Sequence, residues 1–145
     1  MEEGNKALIV DDSADILTYV MKYDSEQLEI GGFQKENIFD GEVYRSYYFN
    51  IEETERLITE VPYAAILLDG DLRLRLKRFF GEVSDGDVIA KRIRQGIYGS
   101  LNIKTPIYGI SNSFGMFSGD ILVDELPKPN NEKDIEYILT QLGMS

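Results

Sequence analysis

The residues best suited to phosphate and metal chemistry each stand at or just past a short apolar run. Asp11-Asp12 follows Ala7-Leu8-Ile9-Val10, and Asp69-Gly70-Asp71 follows Ala64-Ala65-Ile66-Leu67-Leu68. Ser111 follows Pro106-Ile107-Tyr108-Gly109-Ile110, and Lys128 comes shortly after Ile121-Leu122-Val123. Carboxylates gathered at one place repel, which raises their pKa values or weakens the fold. An oxygen-seeking divalent cation removes that repulsion. Mg²⁺ suits it, because it takes a few carboxylates, keeps several waters and completes its shell with phosphate oxygens. An Asp carboxylate is also a nucleophile able to form an aspartyl phosphate. A lysine beside it can pair with a carboxylate at rest and with a phosphoryl oxygen during reaction. A serine hydroxyl can donate to that same oxygen. Catalysis would then be positioning and charge neutralisation. Taken singly, Asp11-Asp12 reads as a helix cap, Asp69-Gly70-Asp71 as a polar turn, and Lys128 as a surface charge.

What makes them a set is the chain that carries them. Apolar strands alternate with helical periodicity, which argues for an α/β fold with a parallel sheet. In such sheets ligands bind at the carboxyl ends of the strands. That rule brings Asp11, Asp12, Asp69 and Ser111 to one edge, where Lys128 can join them. Ser13 is expected to cap a helix using Ile16, Leu17, Val20 and Met21. Ile38-Phe39 is read as the core of the second strand, closed by Asp40-Gly41. A helix is expected from Ile51, ended by Pro62. Ser84-Asp85-Gly86 opens another, stopped by Gly96 or Gly99. Ile121-Leu122-Val123 is read as the last strand, and Asn131 caps a final helix.

The chain has 145 residues, which fits one domain over 1–145. Apolar residues are 43% and charged residues 28%, as in ordinary globular proteins. There is no Cys and no His. That excludes disulfides, thiolate or imidazole metal sites, and a Ser-His-Asp triad. The net charge of −11 argues against general nucleic-acid binding. No apolar run is long enough for a membrane span, and MEEGNK lacks signal-peptide character, so a soluble cytoplasmic protein with no membrane partner is expected.

Ile9-Val10-Asp11-Asp12-Ser13, Ile66-Leu67-Leu68-Asp69, Ile110-Ser111 and Lys128-Pro129, in that order, resemble the receiver domain of two-component response regulators. Asp85-Gly86 before a helix ending Lys91-Arg92-Ile93-Arg94 resembles the family's third helix. The resemblance implies a flavodoxin-like (CheY-like), doubly wound, five-stranded parallel sheet with helices on both faces. It implies that Asp69 accepts a phosphoryl group from a phosphohistidine on a histidine kinase or phosphotransfer protein. It implies Mg²⁺ held by Asp11, Asp12, Asp69 and the Asp71 backbone carbonyl, with Ser111 and Lys128 bonding the phosphoryl group. The domain would then signal by switching the binding of a downstream protein rather than turn over a substrate. The Lys128-Pro129 bond is often cis in such domains. With no His in the chain, the donor must be another molecule. As little chain follows Pro129, the expectation is a stand-alone receiver.

The chain departs from that pattern in four places. Glu125 stands where the family's switch aromatic is usual, with Tyr108 and Phe114 as substitutes to consider. The 112–120 segment is short for a fourth helix, leaving room for about one turn. Residues 72–84 read as an insertion beside Asp69, and residues 73–94 hold 7 of the 15 basic residues. That loop reads either as a docking loop or lid, or as leucines packing while charges stay solvated. Residues 42–56 add a second insertion, whose Tyr44, Tyr47, Tyr48 and Phe49 suit satellite packing or a binding patch. Two other readings stand beside the receiver. One is a degenerate receiver that serves as an interaction scaffold. The other is a haloacid dehalogenase-like phosphatase, with Asp69 as nucleophile and Asp71 as acid/base.

Overall fold

Two strands are buried along their whole length, β1 (Ala7–Val10) and β5 (Ala65–Asp69). They are apolar without alternation up to the terminal Asp69, as strands covered on both faces must be. In the computed structural model, which describes residues 4–23, 25–32, 38–39, 42–43, 49–78, 81–111 and 115–144, they pair in parallel at the centre of a sheet. The other sheet strands are β2 (Leu28–Gly31), β6 (Ile107–Ser111) and β7 (Asp124–Pro127), all parallel, in the order β2-β1-β5-β6-β7. The strand order reverses between β1 and β5, so the crevice for a ligand opens above those two strands.

Alternate residues of the strands enter two cores. On one face Leu8, Val10, Ile66, Leu68 and Ile107 pack with Leu57 and Ile58 of α2 (Ile51–Glu60) and Ile89, Ala90 and Ile93 of α3 (Asp85–Arg94). On the other, Ile9, Leu67 and Ile110 pack with Ile16, Leu17 and Val20 of α1 (Ala14–Tyr23) and Ile135, Ile138 and Leu139 of α4 (Glu132–Gln141). This is the expected α/β doubly wound, five-stranded architecture. The caps fall where side chains can reach orphan amides. Asn50 accepts from Glu52 N–H, Ser84 from Asp87 N–H, and Asn131 from Asp134 N–H.

Two edges differ from expectation. The second strand is Leu28–Gly31, not Ile38-Phe39. Gly31 pairs with Val10 as the last residue of this strand, and a side chain would crowd the sheet there. A Cβ would lie 3.2 Å from both Leu8 Cδ1 and Thr54 Oγ1. Ile38–Phe39 (β3) instead pairs antiparallel with Glu42–Val43 (β4) in a separate two-stranded sheet, between β2 and α2 in sequence. The last strand begins at Asp124, after Ile121-Leu122-Val123. Ile121 and Leu122 pack on the α2/α3 core, while Val123 is 60% exposed. No helix occurs between β6 and β7 among the described residues, whereas about a turn was expected. Tyr44, Tyr47, Tyr48, Phe114, Phe79 and Phe80 lie outside the described residues. No peptide bond among the described residues is cis, so Lys128-Pro129 is trans.

Candidate functional site

Asp69 is the last residue of β5, and Asp11 directly follows β1, so strand pairing alone sets them side by side. Both are fully buried, and Asp12 is half-buried. One carboxylate oxygen from each of Asp11, Asp12 and Asp69 lies within 4.8 Å of the others. Lys128, directly after β7, reaches in from the far side of β6. Its Nζ donates to Asp69 Oδ2 at 3.1 Å and stands 3.5 Å from Asp11 Oδ2. The remaining oxygens take backbone donors. Ser13 N–H donates to Asp11 Oδ1 at 2.8 Å, and Asp71 N–H donates to Asp69 Oδ1 at 3.1 Å.

Ser111 closes β6. Ile110 is level with Asp69 and Ser111 is level with Pro127, so the register sets Ser111 at this same edge. Asp71 contributes its backbone N–H, while its carboxylate is 62% exposed and stands 3.9 Å from Arg73 Nε. Asp11, Asp12, Asp69, Ser111, the Asp71 backbone and Lys128 are thus all at the carboxyl edge of the central strands. The Asp71 side chain is outside the cluster.

The charges are unbalanced. Burial, then the neighbouring Asp11 charge, pushes the Asp69 carboxyl up to about 7, against the pull of Lys128 and the Asp71 amide. Burial also raises Asp11, opposed by Lys128 and the Ser13 amide. Asp12 is raised by burial, opposed by Lys128 and Arg73. Burial disfavours the Lys128 ammonium, but Asp11 and Asp69 together outweigh it and hold the amine above its ordinary range. One ammonium against three carboxylates leaves negative charge uncompensated. Asp11 Oδ2 is buried and accepts no hydrogen bond. An all-oxygen, electron-rich cluster in which Asp11 Oδ2 has an ion-pair contact but no hydrogen bond fits a hard divalent cation.

Around this cluster the structure shows contacts that sequence patterns did not reveal. Gly86, in the first turn of α3, abuts the end of β5. A Cβ there would stand 2.4 Å from Asp69 O, and Gly86 N–H donates to Gly70 O at 3.1 Å. Met116 and Phe117 seat against the same notch, since a Cβ on Gly70 would stand 2.4 Å from Met116 Cβ and 3.5 Å from Phe117 Cε2. Ser84 Oγ donates to Met116 O, and Ser118 Oγ donates to Asp87 Oδ2 at 2.7 Å. Among the described residues, Phe117 thus packs beside Asp69's strand end, while Tyr108 packs on the α1/α4 core. Glu125 lies across from Gly109, with Oε1 buried and without a hydrogen bond.

The 72–78 loop is ordered by Asp85. Its carboxylate accepts from Leu74 N–H (2.6 Å), Arg75 N–H (3.0 Å) and Leu76 N–H (3.0 Å). Leu72 is buried and Leu74 and Leu76 pack on the core, while Arg73, Arg75, Lys77 and Arg78 are exposed. The leucines thus pack and the charges stay in solvent, as the blander reading of this loop expects. Nothing in the sequence announces Asp85's part, because its partners are backbone amides.

No family model matches the sequence, and none of the curated proteins matches it either. Solved structures do match, and over nearly the whole chain. A response regulator receiver domain from Methanospirillum hungatei JF-1 is 18% identical with a TM-score of 0.56, covering 97% of this chain and 95% of that one. The chemotaxis response regulator CheY4 of Vibrio cholerae is 16% identical with a TM-score of 0.60, covering 96% and 98%. The chain has the CheY-like receiver fold. A third structure with this receiver fold is the receiver domain of a sensor histidine kinase from Pseudomonas aeruginosa PAO1. It is 17% identical with a TM-score of 0.55, covers 97% and 98%, and has magnesium coordinated in its active-site cleft. None of the described helices of this receiver fold is long and apolar enough to cross a membrane.

Proposed function

We propose that the chain is a receiver that accepts a phosphoryl group on Asp69 in a Mg²⁺-dependent reaction and thereby switches the binding of a partner protein. The observation that carries this reading is the charge constellation. A buried aspartate at a strand end has a lysine ammonium 3.1 Å away and two further carboxylates within 4.8 Å. Asp11, Asp12, Asp69 and the Asp71 carbonyl would hold the cation. Bound there, Mg²⁺ would neutralise the charge gathering on the transferring phosphoryl oxygens.

The chain's own residues do the rest. The Asp71 amide and Lys128 orient the Asp69 carboxylate and favour its ionised, nucleophilic form. An Asp69 oxygen forms the new P–O bond as the P–N bond of a phosphohistidine breaks, and the imidazole nitrogen keeps the electron pair. Lys128 and Ser111 donate to the transferred phosphoryl oxygens. The donor is a histidine kinase or histidine phosphotransfer protein, since this chain holds no His. The output is signalling in a phosphorelay, in the cytoplasm, with a downstream protein partner.

A second reading, a receiver retained as a binding scaffold, is favoured by Glu125 in place of an aromatic and by the lack of a helix between β6 and β7 among the described residues. The phosphatase reading fares worse, because the Asp71 carboxylate it needs is turned to solvent.

Intact-mass measurement after incubation with Mg²⁺ and acetyl phosphate separates these readings. One added phosphoryl group is expected on the wild type, none on Asp69→Asn, and none after chelation. A wild type that binds Mg²⁺ yet never gains the mass would leave the scaffold reading standing.

A further inference from the structure

We infer that the arginines of the 72–78 loop form a docking ledge for an acidic segment of the protein that delivers the phosphoryl group. The inference rests on the reading of Asp69 as acceptor for the identity of that protein, and on the loop itself for its charge.

Arginines elsewhere among the described residues are engaged within the chain. Arg56 pairs with Glu53 and Glu60, Arg92 stands 3.8 Å from Glu55, and Arg94 donates to the carbonyls of Ile103 and Thr105. The loop differs. Arg73 is 80% exposed, with a long 3.9 Å approach to Asp71 and a charge that also acts on Asp12. Arg75 and Arg78 are exposed, and their side chains have no ion partner among the described residues. This occurs in a chain with 26 carboxylates against 15 basic residues, where intramolecular partners are plentiful.

The backbone that carries Arg73 and Arg75 is also held in place. Arg73 and Arg75 both adopt left-handed backbone, with φ of 53° and 55°. Side-chain-bearing residues rarely take that conformation, and it persists only where the surroundings impose it. The Asp85 carboxylate imposes it here by gathering three successive amides. The leucines between the cations anchor the loop to the core. A loop meant only to be solvated needs no such restraint, whereas a binding surface gains affinity from being ordered beforehand.

Position and charge choose the occupant. The loop begins three residues after Asp69, and Arg73 stands 3.9 Å from the Asp71 carboxylate and acts on Asp12, so the ledge borders the carboxylate cluster that a phosphohistidine must reach. Guanidinium groups recognise discrete carboxylates by paired hydrogen bonds. A long nucleic acid is disfavoured, because the net charge of −11 repels an extended polyanion beyond the ledge.

The test uses the full chain, ¹⁵N-labelled, titrated with a hexaglutamate peptide, with a 12-mer of single-stranded DNA as the competing polyanion. The variants are Arg75→Glu/Arg78→Glu and the milder Arg75→Gln/Arg78→Gln. Both spare the backbone amides that hold the loop. The expected result is saturable shifts confined to amides of residues 73–78. They weaken as salt is raised and fall at least about tenfold in affinity in the variants, given that each desolvated charge pair is worth roughly that factor. Acetyl phosphate labelling of Asp69 should be unchanged in the variants. Undiminished binding by both variants, shifts centred on other lysines, or tighter binding of the DNA would each overturn the ledge. Hexaglutamate binding at the loop in a wild type that acetyl phosphate cannot label would instead sink the acceptor reading and keep a docking site for acidic segments.

Discussion

Lys128 holds two buried carboxylates at once, and that makes its removal informative in two directions. Its Nζ lies 3.1 Å from Asp69 Oδ2 and 3.5 Å from Asp11 Oδ2. Charges this close interact by several kcal/mol at the effective dielectric of a partly buried site. In Lys128→Ala the cluster loses the cation that contacts both Asp11 and Asp69. The metal-free protein should be less stable by about 2–4 kcal/mol, since two carboxylates are left unpaired. Mg²⁺ should nonetheless bind tighter, at least roughly tenfold, because the ammonium no longer competes for the same oxygens. Calorimetric titration and urea unfolding check both halves, and Mg²⁺ affinity that falls would contradict the assigned metal position. These residues were legible in the sequence because each stands at or just beyond the end of a strand, and parallel pairing gathers strand ends. Asp85 was not legible. Its partners are the amides of residues 74–76, and a carboxylate that binds backbone leaves no pattern of side-chain types to read.

At the scale of elements, the first turn of α3 ties both loops beside Asp69 to the sheet. Asp85 holds the 72–78 loop, while Ser84 and Asp87 hold Met116 and Ser118. Asp85→Ala should therefore loosen one loop and leave the other in place. Three amides lose a charged acceptor, at a combined cost of about 2–4 kcal/mol, given roughly 1.5–3 for a hydrogen bond to a charged group and incomplete additivity. Left-handed backbone at Arg73 and Arg75, at roughly 1–2 kcal/mol each, then loses its restraint. Amide exchange at Leu74, Arg75 and Leu76 should accelerate by orders of magnitude, with residues 115–118 little changed. Equal acceleration of both loops would show that α3 itself had unravelled, and Asp85 would then be a helix-cap residue rather than a clasp. The strands show the limits of periodicity. The central strands were legible as apolar runs. The edge strands Leu28–Gly31 and Asp124–Pro127 were misplaced because they are short, half-buried and carry Gly, Glu, Asp and Pro. Glycine is a poor strand signal, yet Gly31 ends β2 and is kept small by Leu8 and Thr54.

For the whole molecule, the doubly wound architecture follows from strands whose alternate residues are all apolar, and such strands demand helices on both faces. Closing that sheet carries Asp11 and Asp69 out of water at fixed positions, which links folding to their ionisation. The folded-state Asp69 carboxyl is raised to about 7, chiefly by burial and then by Asp11, from an ordinary value of 3.8. The folded protein therefore binds a proton that the unfolded chain releases near pH 4. The resulting contribution to stability is fully present below that pH and is lost as pH rises through about 7. Asp11, raised by the same burial, acts in the same direction. In chelator, the melting temperature of the wild type should fall between pH 5 and 8 more steeply than that of Asp69→Asn, which has no charge to bury at this position. A cation held by the ionised cluster stabilises only the deprotonated form, so adding Mg²⁺ should raise the melting temperature far more at pH 8 than at pH 5. Both measurements report on folding alone and need no phosphodonor. Parallel pH profiles for wild type and Asp69→Asn, with a Mg²⁺ effect independent of pH, would mean that the cluster ionises as freely as exposed carboxylates do, and that its burial is not what tunes Asp69.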